Sequence, residues 1–206
     1  MVPMPDVRRF APGVPDELYE RGDVPMTKRE VRAITIAYAE LDPADRVLDI
    51  GAGTGGLTVD LARSVPRGRV VAVERNPEAL DLLARNLAAL TSGNVEVVAG
   101  EAPDILAEVD GPFDAVTIGG HGGALSAMLD AILPLLADGG RMVLNLIGLS
   151  AATEAYGALG ETPWEDRRLT QVAVSHAGTL GQWSDVRLVP GNPVFIVHAR
   201  KGGARS

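Results

Sequence analysis

The sequence predicts an α/β fold: a doubly wound, mostly parallel sheet with helices on both faces. Three observations lead there. Short apolar runs alternate with runs of helical period between Arg46 and Ile147, the pattern of strand, crossover helix and parallel strand. The first apolar run passes through a glycine-rich turn into a helix, in VLDIGAGTGGLTVDLA (Val47 to Ala62). Apolar residues make up 46% of the 206 and aromatics only 4%, which favours an aliphatic α/β interior over an aromatic-rich all-β one.

Residues 1–25 carry prolines and charges with few periodic apolar positions, and read as an extended arm. An arm of 1–26 is therefore set apart from a domain of 27–200 and a loose tail of 201–206. In PMTKREVRAITIAYAEL, Val31, Ile34, Tyr38 and Leu41 repeat at helical spacing. Thr27 followed by Glu30 has the form of a capping box, which puts the helix start at Thr27. Arg46 to Ile50 is the first strand, Leu57 to Arg63 a helix and Arg69 to Val73 the second strand. Pro77 suits the first turn of a helix that runs to about Leu90. NVEVVA is a third strand, Pro103 opens a short helix, and FDAVTI is a fourth strand. ALSAMLDAILPLL is helical despite Pro134, and GGRMVLNLI is a fifth strand. After residue 150 the alternation stops. A helix near Ala151 to Leu159 precedes two β-runs, RLTQVAVSHA and NPVFIVHAR, with no helix between them. They are expected as an antiparallel pair at one end of the sheet. Neither an internal repeat nor a linker divides the chain.

Charge and composition exclude several classes. The net charge of −8 repels phosphate backbones, which argues against nucleic acid as a partner. With no cysteine there is neither a disulfide nor a thiolate metal site, and the three histidines lack metal-ligand spacing, so no metal is expected. No apolar run approaches membrane-spanning length and the first residues lack a signal-peptide core, so a cytoplasmic protein without membrane association is expected.

The glycine turn narrows the ligand. A phosphate-binding P-loop needs Lys then Ser or Thr after its last glycine, and Gly56 is followed by Leu57 and Thr58. Gly51, Gly53 and Gly56 do satisfy the dinucleotide spacing, with Glu74 at the end of the second strand placed to accept ribose hydroxyls. The turn alone leaves NAD and other adenosine ligands open. Asp49, just before it, suits a cation better than a pyrophosphate. Glu101 follows the third strand, where an adenine edge would lie. Acidic residues thus end three successive strands on the rim where open α/β sheets bind ligands. Singly, each also reads as a turn cap or a solvated carboxylate; together with the glycine turn they favour S-adenosylmethionine (SAM), which carries a sulfonium and an ammonium group.

This assembly resembles the class I SAM-dependent methyltransferases, with a Rossmann-like, seven-stranded, mostly parallel sheet that has an antiparallel strand near one edge. Beyond the SAM motifs, GVPDELYE, PMTKREVRA, DIGAGTGGLTVDLA, VVAVERNPEAL, NVEVVAGEAPDIL, FDAVTIGGHGG and NPVFIVHARKG resemble the precorrin C15-methyltransferase/decarboxylase family over roughly residues 13–200. MTKREVR and ERNPE are the distinctive pieces; GAGTG is shared by many methyltransferases. The resemblance implies methylation of the C15 meso carbon of a precorrin with decarboxylation of the C12 acetate, in cobalamin biosynthesis. It implies SAM contacts from Thr27, Gly51, Ala52, Gly53, Thr54, Gly55, Glu74 and Ala102; Asp49, Arg75 and Glu101 join that set from their place on the rim. Lys28, Gly119, Gly120 and His121 are the substrate-side candidates, and His121 is the candidate proton donor. His176 and His198 fall in β-runs and read as structural. A homo-oligomer, in the form of a tetramer, is also implied, with C5 methylation carried by a separate chain or a further segment. The rival readings are another class I methyltransferase acting on RNA or protein, an NAD-dependent oxidoreductase, and a non-catalytic SAM- or tetrapyrrole-binding module.

Overall fold

A computed structural model describes residues 12–91, 93–119, 125–160, 163–179 and 186–203. Five strands run parallel: β1 (Arg46–Ile50), β2 (Arg69–Glu74), β3 (Val95–Ala99), β4 (Phe113–Ile118) and β5 (Leu136–Leu146). Beyond them come β6 (Trp164–Val172), a hairpin of β7 (Ser175–Thr179) and β8 (Val186–Pro190), and β9 (Val194–Lys201). The main sheet has seven strands in the order β3-β2-β1-β4-β5-β9-β6, and β7 pairs with β8 in a separate two-stranded sheet. β9 is antiparallel to both its neighbours, so β6 again points the way of β5. The expected fold class is the observed one, including an antiparallel strand one place from the edge.

Among the described residues, five α-helices cover the sheet: α1 (Arg29–Ala39), α2 (Gly56–Ser64), α3 (Pro77–Leu90), α4 (Leu125–Ile132) and α5 (Leu149–Ala158). The central strands are apolar on both faces because both faces are covered. Leu48, Ile50, Val71, Val73, Val116 and Ile118 pack with Met128 and Ile132 of α4. Their alternates Val47, Val70, Ala115 and Val143 pack with Val31, Ile36, Leu57 and Leu61 of α1 and α2. Asn76 caps α3 by accepting the Glu78 N–H at 3.0 Å, with Pro77 in the first turn. α4 stops at Ile132, two residues before Pro134, whose ring disfavours helical backbone at Leu133.

The helix expected to continue through Pro134 to Leu136 ends at Ile132 instead, and three further expectations change. Thr27 is not the cap of α1: the helix begins at Arg29, Lys28 stands at its N-cap without a side-chain bond, and the first helical bond runs from the Arg32 N–H to the Lys28 carbonyl. The Thr27 carbonyl instead accepts the Arg32 guanidinium at 2.7 Å. RLTQVAVSHA is two strands rather than one, because the chain leaves the main sheet after Val172 and enters the hairpin at Ser175. Lys201 belongs to β9, and its ammonium donates to the carbonyls of Leu133 and Leu136.

The segment before α1 is held to the domain. Val14 and Tyr19 are buried with Val59 and Leu90. Arg32, fully buried, joins the pieces: Nε donates to Asp60 Oδ2 of α2 at 2.7 Å, and the two terminal nitrogens reach Asp16, the Thr27 carbonyl and the Val14 carbonyl. Asp60 also accepts the Val14 N–H at 2.9 Å. Residues 13–28 therefore form a strap drawn across α1 and α2. Arg32 is the clasp of that strap.

Candidate active site

The turn after β1 is built for close approach. Gly51, Gly53 and Gly55 have φ of +75°, +56° and +85°, a region that side-chain-bearing residues enter at a cost. A Cβ on Gly55 would lie 2.6 Å from Leu83 Cδ1 of α3. At the end of β4, a Cβ on Gly119 would lie 2.8 Å from the Gly51 carbonyl, so Gly119 is fixed by backbone packing against the loop.

The carboxylates divide by environment. Asp49, 1% exposed, accepts the Thr58 hydroxyl at 2.6 Å and the Thr117 hydroxyl at 2.7 Å. Burial raises its carboxyl above the ordinary range, while the two hydroxyl bonds pull the other way. Glu74 is buried at the end of β2 and accepts three backbone N–H groups, from Gly53 at 2.8 Å, Arg75 at 2.9 Å and Asn76 at 2.8 Å. It braces the glycine loop from below. Arg75 and Glu101 are exposed and pair with each other across the rim. Ala102 packs beside the main core.

A cavity of about 350 Å³ opens beside the loop. Of the sequence-derived site residues, Thr27, Lys28, Asp49, Gly51, Ala52, Gly53, Thr54 and Gly119 line it. Gly55, Glu74, Arg75, Glu101 and Ala102 do not: Gly55 caps α2, and the others lie at or just after the ends of β2 and β3. Gly120 and His121 lie outside the described residues. The strap forms one wall, and a Cβ on Gly56 would strike Met26 Cγ at 2.7 Å. The opposite wall is made of Asn145, Ile147, Val172, Val174, His176 and Asn192–Val194, none of which stood among the site candidates. Their signal in the sequence is weak, because they come from strand ends and a hairpin loop that converge only through the fold. His176, expected to be structural, is exposed on this wall, whereas His198 stacks on Tyr38 with ring centroids 4.2 Å apart. Burial holds the His198 imidazole below its ordinary range, with Arg168 adding to the effect.

The cavity suits a polar ligand with apolar parts. Two of its buried polar atoms, Thr54 Oγ1 and Asn145 Nδ2, have no hydrogen-bond partner among the described residues. Asn145 Oδ1 is held by the Thr35 hydroxyl at 2.9 Å, which leaves the amino group free of protein bonds. Buried polar groups left unpaired are costly and rare, so each is a position a bound molecule can satisfy.

Sheet order, glycine loop and cavity together define a Rossmann-like methyltransferase. Residues 17–201 match the precorrin methyltransferase domain, and the chain belongs to that family. It is a methyltransferase. A cobalt-precorrin-6B C(15)-methyltransferase (decarboxylating) of Salmonella typhimurium is 37% identical over 90% of this chain and 95% of its own length. The crystal structure of a precorrin-6y C5,15-methyltransferase from Geobacter metallireducens superposes with a TM-score of 0.84 at 32% identity, over 92% of this chain and 98% of that one. A precorrin 8W decarboxylase from Methanobacterium thermoautotrophicum gives 0.82 at 32% identity, over 90% of this chain and 98% of that one. No helix among the described residues is long and apolar enough to cross a membrane.

Proposed function

We propose that this chain methylates C15 of a precorrin and decarboxylates the C12 acetate, in corrin biosynthesis. The observation that carries the reading is the match over residues 17–201, with relatives of that name at 32–37% identity along nearly their whole length. The cavity supports it: glycine backbone on one side, unpaired polar atoms within, and a largely aliphatic opposite wall on which a flat macrocycle can lie.

SAM, when bound, supplies an electrophilic methyl group on sulfur. The loop Gly51–Gly55, Thr54 and Thr27 would hold its amino-acid end, and Glu74 its ribose, with Asp49, Arg75, Glu101 and Ala102 completing the rim. Glu74 has lone pairs to offer ribose hydroxyls, since two of its N–H partners share Oε1. The protein's task is alignment, because a displacement at sulfonium requires nucleophile, methyl and leaving group in line. The strap and the outer wall set the ring against the loop and exclude water. Lys28, exposed at the cavity, suits a substrate carboxylate. Gly119, Gly120 and His121 complete the proposed substrate side.

We also propose a cytoplasmic homo-oligomer, with C5 methylation carried by another chain. Val186 and Leu188 stand more than half exposed on the β7–β8 hairpin, apolar surface that a second copy can cover. Mass spectrometry tests the activity: a C5-methylated, ring-reduced precorrin incubated with protein and SAM gains one methyl and loses CO2. An unchanged ring, with SAM binding confirmed alongside, overturns the reading in favour of an RNA or protein methyltransferase.

A further inference from the structure

The cavity brings a histidine to a reaction that needs a proton. Loss of CO2 from an acetate side chain breaks the bond between methylene and carboxyl carbons. The electron pair stays on the methylene and spreads into the conjugated ring. The methylene becomes a methyl group only by taking up one proton.

Among the described residues lining the cavity, three are titratable: Lys28, Asp49 and His176. Both Asp49 oxygens are engaged by threonine hydroxyls in the floor. Lysine ammonium groups release protons only far above neutrality, whereas imidazole exchanges them near it. His176 stands in β7 on the wall opposite the glycine loop, 63% exposed, with Nε2 3.8 Å from Glu30 Oε1 of α1. When the ring is charged, Glu30 pairs with it across the cavity edge. Among the described residues, Lys28, ahead of α1 and lining the cavity, and Arg187 are further charged groups on this side. The β7–β8 register puts Arg187 opposite Gly178, on the ribbon face that His176 shares.

Resting on the tetrapyrrole reading above, we propose that His176 is the proton donor of the decarboxylation. An imidazolium N–H bond breaks and its electron pair stays on the ring nitrogen. A C–H bond forms at the methylene with the pair left by CO2, and the exposed neutral imidazole is recharged from solvent.

The test is a single-turnover measurement of CO2 release from the C5-methylated, ring-reduced precorrin by wild type, His176→Gln, His176→Ala and His121→Gln. Binding of S-adenosylhomocysteine, measured by calorimetry on each variant, reports that the fold persists. Both His176 variants are expected to bind it like wild type and to release CO2 about 100-fold more slowly, the usual worth of a positioned general acid. Added imidazole restores release in His176→Ala, an effect a merely structural role does not produce. Unchanged release, a loss that imidazole does not restore, or an imidazole-restorable loss in His121→Gln with His176 variants unaffected each overturns the assignment. A wild type that leaves the ring unaltered overturns the tetrapyrrole reading and this inference with it. A wild type that turns over beside an unaffected His176→Gln overturns the proton donor alone.

Discussion

The two walls of the cavity are held in different ways. The inner wall, loop and strap, is tied by buried groups: Arg32 with Asp60, Glu74 under three backbone amides, and glycines packed to within a carbon atom of their neighbours. The outer wall, from Ile147 to the β7–β8 hairpin, exposes Ile147, Val186 and Leu188 by more than half, and His176 meets Glu30 of α1 only in a loose contact. A wall of the first kind keeps a cofactor-sized space in shape without a ligand. A wall of the second kind is free to differ with the molecule it meets.

This contrast is broken or sharpened by substitution. The largest effect is expected from Arg32→Met, which leaves Asp60 buried without its cation: about 3–5 kcal/mol of stability lost in urea unfolding. A variant as stable as wild type would show that the clasp does not hold the inner wall. Next comes Gly55→Ala, strained by its positive φ and by contact with Leu83, at about 2–4 kcal/mol in the same measurement. Glu74→Ala is expected to weaken S-adenosylhomocysteine binding by about 1–3 kcal/mol in calorimetry, since it removes the brace under Gly53 and the proposed ribose acceptor. Unchanged affinity would remove Glu74 from the cofactor site. The smallest effect belongs to the outer wall. His176→Gln should alter stability by no more than about 0.5 kcal/mol, as exposed substitutions usually do, and a larger loss would show the two walls to be coupled.

Pattern recovered several elements of the parallel half almost to the residue, as with FDAVTI for β4 and the helix Pro77–Leu90, but started β5 three residues late. β4 is buried along its length and α3 along one stripe, as their apolar spacing demands, so period and burial report the same thing there. Pattern failed at Thr27, where Thr-x-x-Glu has the form of a cap but the strap is turned by Arg32, a contact with α2 and Val14 that local spacing does not encode. It failed again at RLTQVAVSHA, where a β-run continues in sequence while changing sheets in space.

The site divides along the same line. Local sequence by itself determined the glycine loop and the rim acids Asp49, Glu74 and Glu101, because a strand, its turn and its helix are contiguous and place their residues by chain geometry alone. What faces them depends on the packing of distant strands. Asn145, the Val172–His176 run and Asn192 come from three separate stretches, and they line one cavity in a sheet where β9 inserts antiparallel between β5 and β6. No residue spacing records such a meeting, since it depends on strand order, and strand order is set by how the whole sheet packs.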